Sequence, residues 1–297
     1  MIRGRFAPTP SGALHFGSVM TALASWLFAR SAGGEWIIRI EDLDLPRVIE
    51  GCAEDQLRLL ARCGMESDGP VFRQSARTVL YERRFAALRE AGRVYPCRCS
   101  RKEIATSASA PHGGGELRYP GTCRDEKVEP GETLAWRFRL DDGDVSFTDA
   151  IFGRQRQDVR REVGDFVVRR EQPARAYAYQ FAVVVDDAEQ EISQVVRGAD
   201  LLDSTPRQIA LARALGFPIP SYAHVPVLVS SQGEKLSKRA GTRQLAEADG
   251  RGQLGDILAA LLTTLGQAPT LAEALAGFDA ARIPRRREVS LSPPPSA

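Results

Sequence analysis

The stretch IRGRFAPTPSGALHFGSVMTALASWLFARSAGGEWIIRIEDLD, residues 2–44, decides the fold. IRGRFA reads as a short strand. SVMTALASWLFARSAGG then carries Val19, Met20, Leu23, Trp26 and Leu27 at helical spacing, with Ser18 as the cap and Gly33-Gly34 as the stop. EWIIRIEDLD reads as a second strand. A strand, a helix and a strand so close together make a crossover unit, which builds a parallel sheet and puts ligands at the carboxyl ends of its strands. The loop between strand and helix holds two prolines, two glycines and His15. Glycines let a phosphate approach the backbone, and a helix N-terminus offers N–H groups and partial positive charge. Taken alone, His15 reads as a polar loop residue bonded to the backbone.

Outward from this unit, two helices are expected around 50–63 and 75–92. From Cys97 to Cys123 the chain turns polar and rich in Gly, Ala and Ser, the character of an inserted, loop-rich module. LAWRFRL and VSFTDAIFG read as strands of an antiparallel piece, and AYAYQFAVVVDDA as a buried parallel strand. DSTPRQIALARALGFPIP is a helix with Ser204 or Thr205 as cap, Pro206 in its first turn and Gly216 as stop. AHVPVLVSSQGEKLSKRAG is a strand running into a basic loop. LGDILAALLTTLG reads as a last helix, and SLSPPPSA as a disordered end. There is no internal repeat. The expected organisation is a Rossmann-type half at 1–94, an inserted zinc-binding and connective module at 95–170, a second half at 171–240, and a short helical region with a tail at 241–297.

The chain has 297 residues, 43% of them hydrophobic, enough for a sizeable core. Lys+Arg 40 against Asp+Glu 38 leave a formal charge of +2, so nucleic-acid binding is neither required nor excluded. No apolar run is long enough to span a bilayer, and MIRGRFAPTPSG has no secretory core. Five cysteines, an odd number in a long chain, argue against a disulfide framework. An α/β enzyme of a reducing, cytoplasmic compartment is expected, without a membrane partner.

KLSKR, residues 235–239, is the second loop of interest. Lysines beside a glycine-containing turn can neutralise charge developing on a pyrophosphate, though most short basic runs are solvated surface. HFGS early and KLSKR late resemble the HIGH and KMSKS signatures of class I aminoacyl-tRNA synthetases. RFAPTPSGALHFGS, RIEDLD, YPCRCS, VVVDD, QVVRGADLLDSTPRQI and HVPVLVSSQGEKLSKR, in that order over residues 5–239, are similar to the glutamyl/glutaminyl branch.

The resemblance implies ATP, L-glutamate and an RNA acceptor as substrates, with Mg²⁺ accompanying ATP. His15, Gly17, Ser18, Lys235 and Lys238 would bind ATP, His15 and Lys238 being catalytic, by positioning and electrostatics rather than through a covalent enzyme intermediate. Arg5 would fork a substrate carboxylate and Glu41 would hold the ammonium. Tyr179 and Arg197 would complete the amino-acid pocket, with Phe6, Ala7, Pro8 and Thr9 around it. Without the resemblance, Arg5 and Glu41 read as an ordinary ion pair and Tyr179 as core.

Cys97, Cys99 and Cys123 lie in a module with little apolar core, and three thiolates there suggest one structural zinc. On donor chemistry the fourth ligand is open between His112 and Tyr119. YPCRCS and YPGTC resemble the zinc-binding insert of the shorter glutamyl-synthetase paralogues, which implies Tyr119, with His112 the rival. Cys52 and Cys63 read as buried free thiols in helical pattern. The branch's full-length enzymes carry an anticodon-binding domain after the signature lysines, and residues 240–297 are too few for one. That shortness, with the insert, resembles the paralogues that attach glutamate to the queuosine base of tRNA(Asp), so the expected partner is a tRNA(Asp) anticodon arm carrying queuosine, met by a monomer. Arg160, Arg161, Arg169 and Arg170 could meet its phosphates but read by default as solvated surface. A reduced-size enzyme charging a tRNA 3′ end, a non-catalytic synthetase-like binding protein and a nucleotidyltransferase are the alternatives.

Overall fold

The computed structural model describes residues 1–100, 102–104, 118–129, 134–141, 143–170, 177–230, 245 and 250–291. Seven strands form one sheet in the order β3-β2-β1-β9-β10-β6-β7. They are β1 (Arg3–Phe6), β2 (Glu35–Ile40), β3 (Phe72–Arg73), β6 (Asp144–Asp149), β7 (Gly153–Asp158), β9 (Gln194–Gly198) and β10 (Ser221–Val225). All neighbours pair parallel except β6 and β7. The parallel α/β frame expected from residues 2–44 is therefore present.

Alternation along the strands puts a core on each face of the sheet. Trp36, Ile38, Val196, Ala223 and Val225 pack on one side with helix α1 (Phe16–Ser31) and the helix Leu254–Thr264. Ile37, Val195 and Tyr222 face the other, against helices α3 (Thr78–Glu90), α4 (Tyr179–Glu189) and α5 (Thr205–Ala214). Helix α2 (Cys52–Arg62) sits on the first side through Ala53 and Leu60. Gly4 lets β1 approach α1 closely, because a Cβ there would stand 3.1 Å from that of Ala29.

A separate sheet, β4 (Val94–Cys97), β5 (Ala135–Phe138) and β8 (Val167–Arg169), is antiparallel, as LAWRFRL suggests. A third joins β11 (Val227–Val229) to β12 (Glu288–Ser290), so Ser290, the first residue of SLSPPPSA, ends a strand. Residues 292–297 lie outside the described residues. Among those described, no helix is long and apolar enough to cross a membrane.

Three local expectations are corrected. AYAYQFAVVVDDA contains helix α4, not a strand. Phe181 to Val185 are all buried, and a helix buried on every side shows the same unbroken apolar run as a central strand. VSFTDAIFG does pair antiparallel with β7, yet its other edge joins β10 in parallel, so it extends the main sheet. Helix α1 starts at Phe16, and its cap is His15 rather than Ser18.

Candidate active site

Strand β1 runs on to β2 on one side of the sheet, while its other neighbour, β9, runs on to β10 on the opposite side. The loops leaving their carboxyl ends diverge, and a cleft opens between them. It has a volume of about 580 Å³ and is walled by Phe6–Thr9, Gly12, His15, Gly17 and Ser18 from one side and by Gly198 and Asp200 from the other, with Val227 and Leu228 of β11. The first loop is held from outside. Gln56 of α2, buried, donates from Nε2 to the carbonyls of Thr9 (3.1 Å) and Gly12 (2.7 Å).

His15 caps α1 as an asparagine would: its Nδ1 accepts from the Ser18 backbone N–H at 3.3 Å. A neutral imidazole accepting at Nδ1 carries its proton on Nε2, a donor suited to a phosphate oxygen. A Cβ on Gly17 would stand 3.2 Å from the His15 ring, so glycine there leaves the imidazole its place.

Arg5, Glu41, Tyr179 and Arg197 do not line that cleft but stand together beside it. Arg5 and Arg197 lie on β1 and β9, Glu41 follows β2, and Tyr179 opens α4. Arg5 forks onto Asp187, Nε to Oδ1 at 3.2 Å and Nη2 to Oδ2 at 3.4 Å. Arg39, fully buried, shares Asp187 at 2.8 Å and donates to Gln190 at 2.7 Å. Asp186 takes Gln74 (2.8 Å), Arg77 (2.6 Å) and Tyr81 (2.7 Å). Burial would raise the Asp187 carboxyl, yet Arg5 and Arg39 hold it below the usual carboxylate range. Glu41 has a weaker hold on Arg39, at 3.5 Å. Burial pushes its carboxyl up to about 7 against the pull of Arg39 and Arg5. The ion pair that Arg5 makes is therefore with Asp187, while Glu41 stays with Arg39. The Tyr179 hydroxyl is raised by burial, while Arg197 and Arg5 pull it down and Glu41 pushes it up, which puts these four groups in one electrostatic neighbourhood.

Arg197 is buried and meets only neutral acceptors: His224 Nε2 (3.1 Å), Gln208 Oε1 (2.7 Å), Thr205 Oγ1 (2.7 Å) and the Leu201 carbonyl (3.4 Å). Behind it His224 Nδ1 lies 2.7 Å from Asp149 Oδ2. No carboxylate among the described residues pairs with Arg197 in this structure.

Away from the cleft, Cys97, Cys99 and Cys123 bring their sulfurs within 4.8 Å of one another. Cys99 and Cys123 are 3.5 Å apart, and the Tyr119 oxygen stands 3.5 Å from Cys97 and 3.8 Å from Cys99. A tetrahedral zinc with its usual bond lengths sets sulfur–sulfur edges of about 3.8 Å and sulfur–oxygen edges of about 3.5 Å. The three thiols are close enough to share one small metal ion, with the Tyr119 oxygen beside two of them. Arg137 donates to Cys97 at 3.2 Å and stacks over Tyr119 at 3.7 Å. Burial raises the Cys97 thiol, but Tyr119 and Arg137 together bring it below its ordinary value, toward the thiolate that a metal needs. Cys52 and Cys63 are buried and form no disulfide, as their helical pattern suggests.

The sequence model of tRNA synthetases class I (E and Q), catalytic domain, matches residues 1–282. The chain belongs to that family. It is 50% identical over 285 residues to the glutamyl-Q tRNA(Asp) synthetase of Geobacter sulfurreducens, covering 95% of this chain and 89% of that one. It is 53% identical over 251 residues to the protein of that name from Burkholderia cenocepacia, covering 83% of each. The crystal structure of a glutamate tRNA ligase from Elizabethkingia meningosepticum in complex with its amino acid superposes with a TM-score of 0.79 at 26% identity, over 98% of this chain and 67% of that one.

Among the synthetase residues expected from sequence, Lys235, Lys238 and His112 lie outside the described residues. Arg160, Arg161 and Arg170 are exposed, as surface arginines would be, and Arg169 is half-buried over the rings of Phe85 and Tyr177. Gln56, Arg39, His224 and the roles of Asp186 and Asp187 were not legible. VVVDD carried a signal, because two adjacent carboxylates ending an apolar run need cationic partners wherever that run is buried.

Gln56→Leu keeps the volume and removes both bonds to the signature loop. We expect a loss of about 1–3 kcal/mol in thermal unfolding, since the Gly12 carbonyl loses its partner, together with a raised KM for ATP. An unchanged KM for ATP would deny the loop this support.

Proposed function

We propose that the chain activates L-glutamate with ATP, without tRNA, and then transfers the glutamyl group to the queuosine base at the wobble position of tRNA(Asp). The observation that carries this reading is the 50% identity to the Geobacter sulfurreducens glutamyl-Q tRNA(Asp) synthetase across 95% of the chain. In the first step a glutamate carboxylate oxygen attacks the α-phosphorus of ATP and pyrophosphate leaves. In the second, a queuosine hydroxyl attacks the activated carbonyl and AMP leaves.

The roles follow from the site's chemistry. Arg5, turned by Asp187, and Arg197, whose hydrogen-bond partners are all uncharged, take the two substrate carboxylates. Glu41 takes the ammonium, Tyr179 closes the pocket, and the backbone of Phe6 to Thr9 borders the nucleotide cleft. His15 donates from Nε2 to ATP phosphate, with Gly17 and Ser18 at the helix N-terminus beside it. Lys235 and Lys238 neutralise the departing pyrophosphate, with Mg²⁺ on ATP. Cys97, Cys99, Cys123 and Tyr119 hold one structural zinc, which substitutes for a core that this lobe lacks.

Glutamate-dependent exchange of label between pyrophosphate and ATP is expected in the absence of RNA. Labelled glutamate should then pass to tRNA(Asp) containing queuosine and stay with the anticodon fragment after ribonuclease cleavage. Label on the 3′ end of tRNA(Glu) instead would replace this function with ordinary charging.

The pH dependence follows from Glu41, whose carboxyl sits near 7 in the free protein. Ammonium binding needs the carboxylate, so kcat/KM for glutamate in the exchange reaction should fall about tenfold per unit below pH 7. A profile flat down to pH 5 would take Glu41 out of the pocket.

One zinc per chain is expected by elemental analysis, and chelation should lower the melting temperature. Tyr119→Phe should weaken retention of the metal, while His112→Ala should leave it in place. The reverse pair of results would make His112 the fourth ligand.

A further inference from the structure

The buried row Asp149, His224, Arg197 crosses three neighbouring strands behind the glutamate pocket. A guanidinium only donates, so Arg197 Nε, 3.1 Å from His224 Nε2, obliges that nitrogen to accept. His224 is then a neutral imidazole with its proton on Nδ1. That proton is donated to Asp149 Oδ2 at 2.7 Å. The carboxylate is anchored on its other oxygen, where Oδ1 accepts from the backbone N–H groups of Ile151 (3.0 Å), Phe152 (2.9 Å) and His224 (3.3 Å). Thr205 Oγ1 accepts from Arg197 at 2.7 Å and stands 3.1 Å from the same Nε2. Burial lowers the His224 pKa further from the imidazolium form, although Asp149 pulls it up.

We propose that Asp149 is a positioning residue for glutamate: by holding His224 in its Nδ1–H tautomer it orients Arg197 without neutralising it. The imidazole is the spacer that makes both possible. A carboxylate placed directly against Arg197 would fix the guanidinium equally well, but would also satisfy its charge. Through a neutral ring, orientation is passed on and the positive charge stays for a substrate carboxylate. Gln208 and Thr205 complete the same arrangement with uncharged acceptors, and Gln208 is itself held by its bond to Gln180 at 2.7 Å. Of the five guanidinium hydrogens these partners and the Leu201 carbonyl occupy four, so one Nη1–H is left to meet substrate. The inference rests on the assignment of Arg197 to the glutamate pocket.

Asp149→Asn isolates the effect. The amide oxygen can keep the three backbone N–H groups while its NH₂ replaces Oδ2 and donates to Nδ1. His224 must then carry its proton on Nε2, facing the Arg197 Nε–H. Long-range ¹⁵N–¹H spectra of histidine-labelled protein, with His224 assigned by its loss in His224→Gln, should show the Nδ1–H tautomer in the parent and Nε2–H in the variant. KM for glutamate in pyrophosphate exchange should rise about ten- to a hundredfold with KM for ATP little changed. Glutamine at 224 has an acceptor and no tautomer, so adding Asp149→Asn to His224→Gln should cost no further glutamate KM.

An imidazolium or Nε2–H signal for His224 in the parent overturns the proposal, whether or not the variants fold. So does an Asp149→Asn effect that persists unchanged in the His224→Gln background. Arg197→Ala separates the two levels. If it leaves KM for glutamate unaltered, the pocket assignment itself falls. If it raises that KM while Asp149→Asn does not, only the relay falls.

Discussion

Two adjacent buried carboxylates at the end of α4 organise this molecule. Asp186 draws in Gln74, Arg77 and Tyr81, while Asp187 draws in Arg5 and Arg39. Successive residues on a helix point about 100° apart, so the pair can face two directions at once. One direction clamps α3 and the segment before it, and the other clamps strands β1 and β2. Charges taken out of water at these positions are stable only with their partners in place, because an uncompensated buried charge costs several kcal/mol. The arrangement therefore selects one seating of α4 against the sheet and delivers Arg5 in one orientation.

The cleft depends on that seating. It opens where β1 and β9 lie side by side and their outgoing chains turn apart, so its walls come from two distant parts of the sequence. One wall is a cap in which a histidine does the work usually given to a short polar side chain. The capping bond fixes which ring nitrogen carries the proton, so the start of α1 also prepares a donor. A similar economy operates at His224, whose tautomer is set by the groups on either side. In both places hydrogen-bond partners on the ring set which nitrogen carries the proton.

The cysteine lobe follows different physics. Among the described residues its apolar cluster is Tyr95, Cys97, Ile104, Tyr119 and Cys123 with Cys99 and Val128 packed against them, a small core for independent stability. Arg137 and Asp165 fasten it to the three-stranded sheet, with Asp165 accepting from Tyr95 at 2.6 Å and from Arg124. Held this way, the three thiols stand close enough to share one metal ion.

The parallel frame was legible in the sequence because it rests on local pattern, and the cysteine cluster because its three thiols fall in one loop-rich segment, whereas the pocket residues were proposed only through the resemblance. Residues 2–44 contain a complete strand–helix–strand period, and HFGS, RIEDLD and VVRGAD are short runs whose chemistry does not depend on what lies opposite. Helix α4 escaped such reading, since an unbroken apolar run says that a segment is buried and not which backbone it adopts. The partnerships escaped as well. Arg5 with Asp187 spans 182 residues and Asp149 with His224 spans 75, distances over which spacing carries no information. The sequence by itself determined which groups are available for activating an amino acid. Only the tertiary structure decided which acid holds Arg5, which acid stands apart from that pair, and which arginine has uncharged partners, because those outcomes depend on which buried groups meet across the sheet.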